Sequence, residues 1–97
     1  MLINVEKWCV EFEIICDIMS KEVEKRKEIR VEMNKLYENV EKLDRMYERT
    51  ESSVERGRIA VEIVEIKDKI EQLEIDYDMT NYMIKRLKEE RTIVLEK

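Results

Sequence analysis

The chain has 97 residues, 44% charged and 43% hydrophobic, with a formal net charge of −5. It contains no histidine, no proline and a single glycine, Gly57. These counts remove the commonest general base, the usual zinc ligand sets and any glycine-rich phosphate loop, and they leave little to punctuate strands and hairpins, so an all-α fold is expected.

A hydrophobic repeat in steps of four and three opens the chain as Val5, Trp8, Phe12, Ile15 and Met19. Such spacing keeps one stripe of a helix turned toward a partner helix. Residues 2–19 are rich in apolar side chains, but Glu6, Lys7, Glu11, Glu13 and Asp17 interrupt them. No basic leader precedes them and no run approaches a membrane span. The expectation is a cytoplasmic protein with no membrane partner. Cys9 and Cys16 are seven residues apart on one side of a helix, about 10 Å from each other, which is too far for a disulfide. They read as small buried hydrophobes of a reducing compartment.

The repeat then meets two polar positions, Glu22 and Arg26. One reading keeps a single helix over about residues 4–51 and uses the polar pair to set register. The alternative breaks the helix near residue 20, with Ser20 capping a new start, and gives a three-helix arrangement with a short N-terminal helix. Lys21, Lys25, Arg26, Lys27 and Arg30 alternate with Glu22, Glu24 and Glu28. That is a salt-bridged surface rather than a phosphate track, so direct nucleic-acid binding is not expected.

The seam resumes as Ile29, Met33, Leu36, Val40, Leu43, Tyr47, Thr50 and Val54, and shifts phase at about residues 50–58. Ser52 followed by Glu55 fits a capping box, and Gly57 would suit a left-handed helix end. Both predict a chain reversal there, with the Ser52 cap favoured. A second helix over about 53–95 carries Ile59, Ile63, Ile66, Ile70, Leu73, Tyr77, Thr80, Ile84, Leu87, Arg91 and Val94 on its seam. Residues 1–97 are therefore expected to form a single helical domain, an antiparallel, coiled-coil-like helical hairpin.

The apolar surface is wider than one seam. Cys9, Val10, Ile14, Cys16 and Ile18 lie beside it in the first helix, as do Ala60, Val61, Val64, Ile75, Met79, Tyr82 and Met83 in the second. A two-helix hairpin offers no third helix to cover them. A homodimer packing two hairpins into a four-helix bundle resolves the surplus. The candidate interface comprises Trp8, Phe12, Ile15, Met19, Ile75, Met79, Tyr82 and Met83.

Only carboxylate chemistry remains available for catalysis. Glu38-x-x-Glu41 with Glu65-x-x-Asp68 resembles the magnesium-binding signature of the all-α nucleotide pyrophosphohydrolases, which implies Mg²⁺ held against a nucleotide's phosphates. The same spacing recurs at Glu41/Asp44, Glu48/Glu51, Glu62/Glu65 and Glu71/Glu74. All four motif residues also take outward heptad positions, whereas a bundle metal site needs inward ligands. The resemblance is not adopted. No enzyme activity, cofactor or metal is expected. The sequence points to a non-enzymatic protein–protein interaction module that self-associates and can present a surface to another protein. The competing reading is a small acidic inhibitor or regulator, of the kind mobile genetic elements encode, blocking a basic groove on a nucleic-acid-processing protein.

Overall fold

The computed structural model describes residues Leu2–Glu96, with side chains from Val10 to Glu96. It contains two helices, α1 (Leu2–Arg49) and α2 (Ser53–Glu96), packed as an antiparallel hairpin. Isoleucine and valine are poor helix formers singly, so the mutual burial of one stripe on each helix supplies the stability.

The three-helix alternative is corrected: α1 runs without a break through Ser20–Arg26. Ser20 is exposed on the helix rather than at an end. Asp17 and Lys21 form an i,i+4 ion pair at 3.5 Å across the position where the break would fall. Arg26 has a partner on α2, the Asn81 side chain at 3.1 Å. A polar residue facing a polar residue is a seam layer, and no joint is needed to accommodate it.

Of the two turn readings, the structure has the Ser52 cap. Residues 50–52 separate the helices, and the Glu55 amide donates to Ser52 Oγ at 3.4 Å. The reciprocal half of a capping box is replaced, because the Glu55 carboxylate lies 3.5 Å from Arg58. Gly57 sits inside α2, and no described residue has a positive φ. The end of α1 is closed by Thr50, whose amide and hydroxyl both donate to the Met46 carbonyl, at 3.0 and 2.7 Å. Arg56 reaches back to donate from Nε to the Thr50 carbonyl at 2.6 Å. Its guanidinium lies 5.5 Å from the Tyr47 ring centroid. One side chain thus satisfies an orphan carbonyl and adds a cation–π contact.

Contacts cluster into two compact units, each containing a segment of both helices. The turn unit is Ile29–Tyr77. Ile29, Val40, Ile59 and Ile70 are its buried core, with Met33, Leu36, Leu43, Ile63, Ile66 and Leu73 half-buried between them. Each fully buried isoleucine contributes on the order of 1.5–3 kcal/mol. Tyr47 and Val54 follow the heptad but are exposed, since the reversal removes the layer that would have faced them.

The terminal unit is Met1–Glu28 with Asp78–Lys97. Thr80, Ile84 and Val94 are buried there, and Phe12, Ile15, Met19 and Leu87 are half-buried. Thr80, at 2% exposure, is the most buried side chain described, and it is polar.

Candidate protein–protein interface

Each helix carries its inner seam at heptad positions a and d. In the turn unit the seam is rimmed by two cross-helix hydrogen bonds. Arg30 Nη2 donates to the Tyr77 hydroxyl at 2.8 Å, with its guanidinium 5.7 Å from that ring's centroid. The Tyr37 hydroxyl donates to Glu74 Oε1 at 2.7 Å. This bond to a carboxylate, aided by partial desolvation and by the Glu74 charge, raises the Tyr37 pKa above its ordinary value. In the terminal unit the corresponding contact is Arg26 to Asn81, beside Thr80 and half-buried Glu22.

The candidate interface residues fall into two groups. Phe12, Ile15 and Met19 are half-buried at seam positions of α1 within the terminal unit. Ile75, Met79, Tyr82 and Met83 are exposed on α2, from 43% for Met83 to 64% for Met79. Trp8 lies outside the described side chains. Val61 and Val64, both 58% exposed, and Ile93 extend the exposed apolar set along α2. Val61 and Val64 also line a shallow open depression with Ala60 and Glu65. On α1 the exposed apolar residues include Val10, Ile14 and Ile18.

The apolar side chains of α2 are consequently spread around the helix rather than confined to its seam, with charged residues between them. Seam counting alone missed Ile93, as well as the polar partner Asn81 and the turn-closing Arg56. Ile93 could have been found by counting fours and threes from Val61, and Asn81 by asking what faces Arg26 across the hairpin.

Glu38, Glu41, Glu65 and Asp68 are all exposed, on the outer faces of the helices. Among the described residues, no group of three or more His, Cys, Asp or Glu side chains is placed to hold a metal ion. No described helix is long and apolar enough to cross a membrane. Cys16 is a free, half-buried thiol. The class defined by this architecture is a two-helix antiparallel hairpin with a heptad seam. No protein-family model, curated protein or solved structure matches the chain.

Proposed function

We propose that this chain is a non-enzymatic protein–protein interaction module whose first partner is a second copy of itself. The observation that carries this reading is the set of large apolar side chains left exposed on α2, Val61, Val64 and Ile75 in the turn unit and Met79, Tyr82 and Met83 in the terminal unit. Large apolar side chains left exposed beyond what one seam covers, interspersed with charge, are the surface character of an association site. Tyr82 suits such a place, having a broad apolar body and a polar tip.

Light scattering coupled to gel filtration, in reducing buffer, tests the proposal. The expected mass is about twice the 11.9 kDa of one chain. A single-chain mass across the accessible concentration range would refute self-association.

A further inference from the structure

Inside the turn unit, α2 carries an outer face of Val54, Gly57, Val61, Val64, Asp68 and Glu71, spaced in threes and fours. All six are exposed. They take the b and f positions of the heptad whose a and d positions are the seam residues Ile59, Ile63, Ile66 and Ile70, so the face is turned away from the α1 segment of the same unit. At its centre Val61 and Val64, each 58% exposed, border a shallow apolar depression together with Ala60 and Glu65. Gly57 has no purpose within the hairpin itself. A Cβ there would meet no atom within 4 Å, and glycine weakens a helix interior relative to alanine. What it does provide is room beside Val61 for a side chain from outside.

The face complements itself when reversed. An antiparallel copy related by a two-fold axis level with the midpoint of Glu62 and Ile63 sets Val61 against Val64 of the other copy, twice. Gly57 then meets Asp68, whose side chain occupies the space the glycine leaves. Val54 meets Glu71 at the two ends, where solvent reaches both. On one flank Arg58 faces Glu65 of the other copy, and on the opposite flank Ala60 faces Lys67. Neither flank sets like charges together. Arg58 keeps a side chain 74% exposed although it lies 3.5 Å from Glu55 of its own helix, which leaves further guanidinium donors for a second carboxylate. A two-fold interface requires such a match, because each residue must suit its mirror position on the same sequence.

We propose that two copies of this chain associate through their turn units, antiparallel along α2, with Val61 of each against Val64 of the other and Arg58 of each paired with Glu65 of the other. This arrangement rests on the self-association proposed above. It assigns the turn-unit part of the exposed apolar set to a second copy, because the charges flanking that part match on reversal.

Two sets of variants test it by sedimentation velocity at low salt. Val64→Glu puts carboxylates into the apolar centre and is expected to raise the dimer dissociation constant at least about tenfold. Arg58→Glu and Glu65→Arg each set like charges together twice per dimer and should each weaken association. Combined, they restore both pairs with reversed sign, so the double variant should bind at least about tenfold more tightly than the product of the single effects predicts. All three positions are exposed, so circular dichroism should show full helix content in every variant. A monomeric unsubstituted chain ends self-association, and this inference with it. A dimer that Val64→Glu leaves intact overturns this face, and charge effects that simply add overturn this register, while self-association stands in both cases.

Discussion

The turn unit and the terminal unit use the same seam geometry with different chemistry. Between Ile29 and Tyr77 the buried positions are aliphatic, and the polar contacts Arg30–Tyr77 and Tyr37–Glu74 stay at the exposed rim. In the terminal unit polar groups enter the seam: Thr80 is buried and Glu22, Arg26, Asn81 and Arg91 are partly buried, beside buried Ile84 and Val94. An aliphatic seam maximises stabilisation but distinguishes poorly between registers a heptad apart. A polar layer stabilises less, yet it discriminates. Sliding α2 by seven residues one way would set Arg26 beside Leu87 and Lys88 in place of Thr80 and Asn81, a like-charge contact, and the other way beside Leu73 and Glu74. On these grounds the turn unit is expected to carry more of the stability and the terminal unit more of the alignment.

The largest effect should come from breaking the aliphatic half. Ile70 is 5% exposed in the aliphatic seam of the turn unit. Ile70→Ala is expected to lower unfolding free energy by about 2–4 kcal/mol, read from urea denaturation followed by circular dichroism. A loss below 1 kcal/mol would mean that the turn unit is not where the stability resides.

Making the terminal unit resemble the turn unit should have the opposite sign and a smaller size. Replacing Arg26 and Asn81 together by leucine removes both hydrogen-bond partners at once, so neither is left unsatisfied. The double variant is expected to gain about 1–2 kcal/mol and to broaden the distance distribution between spin labels placed on α1 and α2. A gain in stability with an unchanged, narrow distribution would show that the register is set elsewhere.

The smallest effect concerns the rim of the turn unit and depends on pH. Tyr37 donates to Glu74, and its pKa is raised by that bond in the folded chain. The contribution is fully present below the ordinary tyrosine value near 10 and is lost as pH rises through the raised one. Tyr37→Phe should therefore weaken the chain slightly at neutral pH and cease to matter in strongly alkaline buffer. Paired urea melts at the two pH values check this, and an equal difference at both would count against the bond.

The inner seam was largely legible in the sequence, because apolar spacing of three and four has one physical meaning along a helix. Ile29, Val40, Ile59, Ile70, Ile84 and Val94 are all buried where that spacing places them. The polar interval at Glu22 and Arg26 was ambiguous for a definite reason. A polar seam residue can mark a joint or face a polar partner, and only knowledge of what lies across the hairpin separates the two. Asn81 is that partner, and nothing in its own neighbourhood announces it. Gly57 misdirected in a different way. Glycine permits a left-handed turn without requiring one, and the backbone reverses five residues earlier.

The three-residue reversal at 50–52 has a consequence for the order in which the hairpin opens. Cross-helix contacts join residues separated by 37, 47 and 55 positions as they recede from the turn. Closing the longest of these loops rather than the shortest costs only about 0.4 kcal/mol more in chain entropy. Distance from the turn thus does little to decide which layer separates first. Side-chain chemistry decides it, and the polar layer at Arg26 and Asn81 becomes the point from which solvent exchange of the backbone amides should spread.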